Sequence, residues 1–231
     1  MPFDFKNFSI TDSNSALKVG VDAVLLASWI NFNNVNSVLD VGCGCGILTI
    51  AAGKKIPKGT IYGLDIDKGA IDDTQINIEN NQLTTNCNAV YTNFLTWKAP
   101  LNFDIIICNP PYFKGLNIQM NEQKQKARFE KFLPLHDFFK HCNTLCEGKI
   151  YMVYPFEFLP ELITKANDNQ WFANEILHIK GNPQSNFKRA LIQFSKIKSL
   201  TNSINELTIE TDRGVYTEEY QALTKEYYLK F

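Results

Sequence analysis

Three glycines at alternate positions, Gly42, Gly44 and Gly46, stand directly behind the apolar run Ser37 to Val41 and directly ahead of a helical pattern from Ile47 to Lys55. A strand that ends in backbone without side chains and turns at once into a helix is the opening unit of a parallel α/β sheet, shaped for close approach of a ligand to the chain. The rest of the chain repeats the alternation. Strand-like runs occur at 60–65, 87–92, 103–108 and 149–154, and helical patterns at 67–80 and 135–146, with Gly148 as the expected stop of the latter. Short links between them predict a doubly wound, Rossmann-like, mostly parallel sheet with helices on both faces. Two later runs, 172–180 and 190–196, flank Gly181-Asn182-Pro183 and predict an antiparallel hairpin that ends the sheet. Residues 114–131 lack an apolar period and read as a long functional loop or a helix that orders on binding.

At 231 residues, 45% hydrophobic and 20% charged, the chain reads as one globular domain and excludes intrinsic disorder. Its expected parts are a cap segment over 1–36, a catalytic core over 37–200 and an extension over 201–231. The start, Met1 to Lys6, lacks the basic and apolar regions of a secretion signal, and no apolar run approaches the roughly 18 residues of a membrane span. A cytoplasmic protein without membrane contact is expected. The six cysteines sit at no framework spacing, so reduced, buried thiols are expected; Cys142 and Cys146 would share one helix face, and no zinc site is foreseen. His136 and His178 are assigned no chemistry.

The spacing GxGxG differs from the GxGxxG of dinucleotide sites, and Asp40 adds a carboxylate that would repel a pyrophosphate but suit a cationic amino-acid group. Asp65 ends the second strand, where a ribose diol needs acceptors. An adenosine cofactor follows from the pair; a glycine turn that merely joins strand to helix, or a nicotinamide site, remains the alternative. Together these residues resemble motifs I and II of the class I S-adenosylmethionine-dependent methyltransferases. The resemblance implies that fold and S-adenosyl-L-methionine as cofactor, with Asp40, Gly42, Gly44 and Gly46 around its methionine part. Asp65 and Ile66 would then border its nucleoside.

Asn109-Pro110-Pro111-Tyr112 follows the apolar strand Asp104 to Cys108, at the carboxyl edge where open α/β sheets bind ligands. The two prolines stiffen the backbone and remove donors, leaving the Pro110 carbonyl and the Asn109 amide oxygen as acceptors. Two acceptors suit the two N–H groups of an exocyclic amine, and Tyr112 offers a face for a flipped base. A Pro-Pro turn capped by Asn is the alternative. The tetrapeptide resembles motif IV of the amino-methyltransferases, whose targets are adenine N6, cytosine N4 or a glutamine amide; Asn109 would then also border the cofactor.

Phe5-Lys6-Asn7-Phe8, Leu17 to Leu26 and the terminal Tyr216 to Thr224 with Tyr227-Tyr228-Leu229 carry the resemblance along the chain, which is similar to the bacterial tRNA(Val) adenine N6-methyltransferases. Membership implies methylation of the adenine 3′ of the anticodon, with the tRNA anticodon loop as partner and no obligate protein partner. Lys18, Gly20 and Asp22 would border the methionine end; a Lys18–Asp22 surface pair is the bland alternative. Relatives often carry an acid where Thr92-Asn93-Phe94 stands here, so Asn93 would accept from the adenine amine through its amide oxygen and Phe94 would pack on the ring. The competing functions are the same chemistry on ribosomal RNA or a protein glutamine, and a non-catalytic RNA-binding protein.

A formal charge of −1 argues against a polyanionic partner only if charge is evenly spread. It is not. Lys114, Lys124, Lys126, Arg128 and Lys131 face only Glu122 and Glu130, and residues 180–198 carry Lys180, Lys188, Arg189, Lys196 and Lys198 with no acid. Lys114, Lys124, Lys126, Arg128, Lys188 and Arg189 are the expected phosphate contacts, on two segments that would flank the cleft.

Overall fold

The computed structural model describes residues 2–15, 18–110 and 133–230. The chain opens with a two-stranded ribbon, β1 (Phe3–Asp4) and β2 (Ser9–Ile10), and helix α1 (Val21–Trp29). Then the expected alternation begins: β3 (Ser37–Val41), α2 (Ile47–Lys55), β4 (Thr60–Asp65), α3 (Lys68–Asn80), β5 (Cys87–Tyr91) and β6 (Phe103–Cys108). Asp67 caps α3, its Oδ1 accepting the Gly69 N–H at 2.9 Å, which is why the helix starts where it does. After α4 (Leu135–Cys142) come β7 (Cys146–Pro155), α5 (Leu159–Asp168), β8 (Phe172–Lys180) and β9 (Phe187–Ser195). The chain finishes with β10 (Ser203–Thr208), the short pair β11 (Glu210–Asp212) and β12 (Val215–Tyr216), and α6 (Glu218–Thr224).

The sheet order is β10-β8-β9-β7-β6-β3-β4-β5. All strands run parallel except β9, which is antiparallel to both of its neighbours. The doubly wound reading therefore holds, with an antiparallel hairpin near one end. The hairpin is not the edge: β10, inside the expected extension, adds a parallel strand outside β8. Two cores cover the sheet, one under α1 and α2 that includes Val38, Ile50, Ile61 and Ile107, the other under α4 and α5 that includes Leu39, Ile106, Phe138 and Trp171. Every residue of β3 is buried, as a central parallel strand requires.

One boundary differs from expectation. The helix over 135–146 ends at Cys142, and Cys146 already belongs to β7, so the two thiols do not share a helix face. Gly148 is no helix stop but lies inside that strand, where an added Cβ would meet the Asp104 carbonyl oxygen at 1.9 Å. A glycine that permits close strand approach and one that ends a helix look alike in sequence. Among the described residues no helix is long and apolar enough to cross a membrane, and no cluster of His, Cys, Asp and Glu is placed to hold a metal.

Candidate active site

Parallel pairing sets the site. Val41 of β3 lies opposite Cys108 of β6 on one side and Leu64 of β4 on the other. The next residues along the three strands, Gly42, Asn109 and Asp65, therefore leave the sheet at one level and one edge. Between β3 and β6 the strand order reverses, and this switch point is where an open α/β sheet leaves a crevice for a ligand.

The glycine loop is held from below. The N–H groups of Gly42 and Cys43 donate to the Leu64 carbonyl at 2.8 and 2.9 Å, and Gly44 N–H donates to Asp65 Oδ2 at 2.9 Å. Thr74 of α3 donates its hydroxyl to the Gly44 carbonyl at 2.8 Å. Gly42, Gly44 and Gly46 all have positive φ, +72°, +57° and +83°. Their surroundings differ. A Cβ on Gly42 or Gly44 would meet nothing within 4 Å, whereas one on Gly46 would come within 2.8 Å of the Thr74 methyl. The first two glycines hold room open; the third lets α3 pack against the loop.

Asp65 takes the Gly44 N–H on one oxygen and the Asp67 N–H on the other, at 2.9 Å each. Burial raises its pKa, with those two donors opposing. Each oxygen keeps a lone pair for a diol. Ile66 beside it is 54% exposed, an apolar side chain left open at the mouth of the crevice. Asp40 is different from expectation: it is completely buried, its Oδ2 accepts from Thr49 Oγ1 at 2.8 Å, and Oδ1 has no partner among the described residues. Desolvation pushes its pKa up to about 7. It ties the end of β3 to Thr49 of α2 rather than presenting an open charge.

Asn109 is half-buried and Pro110 buried at the end of β6. Pro111, Tyr112, Lys114, Lys124, Lys126 and Arg128 lie outside the described residues.

With this geometry in view, comparison with known proteins is specific. Residues 13–128 match the family model of the methyltransferase small domain. A tRNA1(Val) (adenine(37)-N6)-methyltransferase from Flavobacterium psychrophilum is 34% identical over 233 residues, covering 99% of each chain. The chain belongs to the tRNA1(Val) (adenine(37)-N6)-methyltransferase family. Among solved structures, a predicted O-methyltransferase from Agrobacterium tumefaciens superposes with a TM-score of 0.67 at 16% identity, over 89% of this chain and 96% of that one. An O-methyltransferase of a polyketide multienzyme from Brevibacillus brevis, solved with S-adenosyl-L-homocysteine, gives 0.54 at 16% identity over 78% and 72%. The class I methyltransferase fold is thus that of this chain.

Several members of the expected site are placed elsewhere by the methyltransferase fold. Asp22 and Arg189 form an ion pair between α1 and β9, with side chains only 20% and 17% exposed. Asp22 Oδ1 is thus engaged by Arg189, a partner that neither the expected cofactor role of Asp22 nor the expected phosphate role of Arg189 included. Lys18 donates to the Asp12 carbonyl and pairs with its carboxylate at 3.8 Å, so the alternative Lys18–Asp22 pair does not form either. Gly20 is the N-cap of α1, in extended conformation. Asn93 caps a short 3₁₀ turn, its amide oxygen accepting the Leu95 N–H at 2.9 Å, which leaves one lone pair for an adenine amine. Phe94 is 5% exposed with its ring against Phe138 and His141, so it belongs to the core and offers no open face.

The basic segment 180–198 is divided between opposite edges of the sheet. Lys180, Lys188 and Arg189 stand at the carboxyl edge beside Pro155, while Lys196 follows Ser195, which pairs with Lys149 at the start of the observed β6–β7–β9 ladder. Lys196 and Lys198 lie over Trp171 and Phe172, 4.4 and 6.0 Å from the ring centroids. Only Lys188 of the two expected phosphate contacts here is exposed.

A clamp that sequence reasoning did not identify holds the cap to the core. Asp73 and Asn77 of α3 and its C-cap residue Asn81, spaced four residues apart, bind the backbone of residues 9–15 as a neighbouring strand would. Asp73 accepts the Asn14 and Ser15 N–H groups at 2.9 and 2.7 Å; Asn77 accepts from Thr11 N–H at 2.8 Å and donates to the Thr11 and Cys45 carbonyls at 2.7 and 2.8 Å. Asn81 does the same for Ser9, at 3.2 and 2.8 Å. Its one sequence signal was a row of small polar residues at i, i+4 and i+8, a face that an ordinary surface helix also shows.

Proposed function

We propose that this chain methylates the N6 amine of the adenine 3′ of the anticodon in tRNA(Val), with S-adenosyl-L-methionine as methyl donor. The observation that carries the reading is the register of β3 and β6, which brings the glycine loop and Asn109-Pro110 to one crevice. The residues present fit such a cofactor. Gly42 and Gly44 leave open space where a side chain would stand, and Asp65 is a carboxylate fixed by two backbone donors beside exposed Ile66. When bound, S-adenosyl-L-methionine supplies a methyl group made electrophilic by its sulfonium.

The protein's contribution is binding and orientation. Gly42, Gly44 and Gly46, braced by Thr74, would shape the methionine side of the cofactor; Asp65 would accept from its ribose diol and Ile66 would lie against its nucleoside. The Asn109 amide oxygen and the Pro110 carbonyl accept the two N–H groups of the adenine amine, which turns its lone pair toward the cofactor crevice and fixes the angle of attack. Pro111 stiffens that acceptor pair, and Tyr112 stacks the flipped base. The amine nitrogen becomes acidic once it carries the fourth substituent, so its proton passes to water without a dedicated base. The anticodon loop is the partner, in the cytoplasm.

The test is incubation with labelled cofactor and separate fractions of total tRNA, ribosomes and release factors, followed by mass mapping of nucleosides. Label appears in tRNA as N6-methyladenosine next to the anticodon, and Asn109→Ala abolishes it while cofactor still binds. Label in ribosomal RNA or in protein, or undiminished transfer by Asn109→Ala, overturns the assignment.

A further inference from the structure

The wall built by β7, β9 and β8 ends in a ring cluster that the function above leaves unused. Phe156 follows β7, His178 lies near the end of β8 and Phe187 opens β9. Ring centroids are 4.8 Å apart for Phe156–His178, 5.1 Å for Phe156–Phe187 and 5.4 Å for His178–Phe187. All three are only half-buried. Lys180 Nζ stands 5.4 Å from the Phe187 centroid, and Lys188 is exposed beside it.

A bulge creates this arrangement. Phe187 pairs with Lys180 and Arg189 with Ile179, so Lys188 is an extra residue without a cross-strand partner. Arg189 faces the α1 side, where it meets Asp22. Strict alternation would send Phe187 to that same side. The bulge instead turns it to the face of Ala190 and His178, where Phe156 packs. Bulges interrupt the ladder, and they recur beside functional sites because they re-aim a side chain.

The cluster overlooks the site. Cys108 ends β6 opposite Met152, but β7 runs on to Pro155, which pairs with Arg189. Three further residues raise the wall roughly 10 Å above the end of β6, and β9 lies two strand spacings from β6, roughly another 10 Å. Asn109 and the rings are therefore on the order of 14 Å apart along one edge. Partly exposed rings flanked by cations are the combination that single-stranded nucleic acid uses, bases on rings and phosphates on lysines. Glu206, opposite His178 on β10, and Glu157, next to Phe156, set the sides from which the phosphates are kept away.

We propose that Phe156, His178 and Phe187, with Lys180 and Lys188, form a stacking subsite for an unpaired nucleotide that flanks the target adenine in an RNA loop. The inference rests on the RNA amino-methyltransfer proposed above and specifies how the loop is held while its adenine enters the crevice. These are binding residues, remote from the reacting atoms.

The probe is an RNA stem-loop carrying the target adenine, with the fluorescent base 2-aminopurine at each neighbouring loop position in turn. Binding to the wild-type protein quenches one of these positions. Phe187→Leu, which keeps apolar bulk and removes the ring, abolishes that quench and weakens RNA binding roughly ten-fold. Its S-adenosylmethionine affinity and its kcat at saturating RNA stay at wild-type levels. Lys180→Ala/Lys188→Ala is the second variant and avoids the packed rings: it lowers the slope of log affinity against log salt by about 1.4, as loss of two single-strand phosphate contacts requires. Unchanged quench and affinity in Phe187→Leu, or an unchanged salt slope in the lysine variant, overturns the subsite while methylation by the wild type stands. Absence of methylation by the wild type on the stem-loop and on whole tRNA overturns the functional reading itself.

Discussion

Replacing two glycines of one loop by alanine separates holding a cofactor from holding the fold. Gly44 and Gly46 are two residues apart and both have positive φ, so each alanine carries the left-handed penalty of about 1–2 kcal/mol. For Gly44→Ala that is the whole structural cost, because its Cβ meets nothing within 4 Å. For Gly46→Ala the Cβ comes within 2.8 Å of Thr74 Cγ2 and 2.9 Å of Thr74 Oγ1, in a fully buried side chain that also braces Gly44. Overpacking of that kind adds about 1–3 kcal/mol. At roughly 2–4 °C per kcal/mol for a domain of this size, Gly44→Ala lowers Tm by about 2–8 °C and Gly46→Ala by about 4–20 °C. Cofactor binding reverses the order. The methyl of Gly44→Ala stands in the open space that the ligand needs, so S-adenosylmethionine affinity falls at least ten-fold more than in Gly46→Ala carrying Thr74→Ser, which removes the clashing methyl but keeps the hydroxyl. Thermal denaturation and calorimetric titration of the three variants read both quantities. Wild-type cofactor affinity in Gly44→Ala, or a larger Tm loss in Gly44→Ala than in Gly46→Ala, would refute the division of labour.

Asp40 makes stability depend on pH: with its pKa raised by burial from 3.8 to about 7, the folded state holds a proton that the unfolded state has lost, so its contribution declines as pH rises from about 4 to 7. Asp40→Asn removes that decline, and its Tm relative to wild type increases across the same window; a difference independent of pH would count against it. Breaking the Asp22–Arg189 pair with Asp22→Ala strands a mostly buried guanidinium and destabilises by about 1–3 kcal/mol, discounted for its partial exposure. Asp22→Ala/Arg189→Leu recovers much of this in denaturant titration, whereas an effect confined to cofactor KM would return Asp22 to the cofactor site. Asn77→Leu removes three hydrogen bonds, one buried and two part-buried, a loss of about 3 kcal/mol, and hydrogen exchange then accelerates first at Thr11 while amides of β3 and β6 stay protected.

The elements that carry the site were legible because their signals are local. The five expected parallel strands, the helix over 67–80 and the α2 boundaries follow from runs of apolar residues and from periodicity within a few residues of each end. Asn109 could be placed beside the glycine loop for the same reason: both end central strands. Boundaries failed where one residue type serves two purposes. Gly148 ends no helix; it makes room for the Asp104 carbonyl. Phe94, read as a ring for adenine, is drawn into the core by Phe138, 5.3 Å away on a helix more than forty residues later.

Charge shows the boundary between the two kinds of information most clearly. Clustering of Lys and Arg over 180–198 is written in the sequence, and it is correct as composition. Whether those side chains share a surface depends on where the strand begins and ends, and β9 carries Lys188 to the carboxyl edge and Lys196 to the opposite one. Arg189 is committed to a partner 167 positions away, and residues 9–15 are held by α3 across separations of 58 to 72 positions. By itself the sequence determined the alternation of strands and helices, the glycine loop and the amine-accepting tetrapeptide, since each is a property of neighbours along the chain. Only the tertiary structure decided which polar groups remain available to a ligand. Hydrogen bonds and ion pairs formed between distant segments occupy the rest, and their partners are set by sheet register and helix packing rather than by any pattern in one dimension.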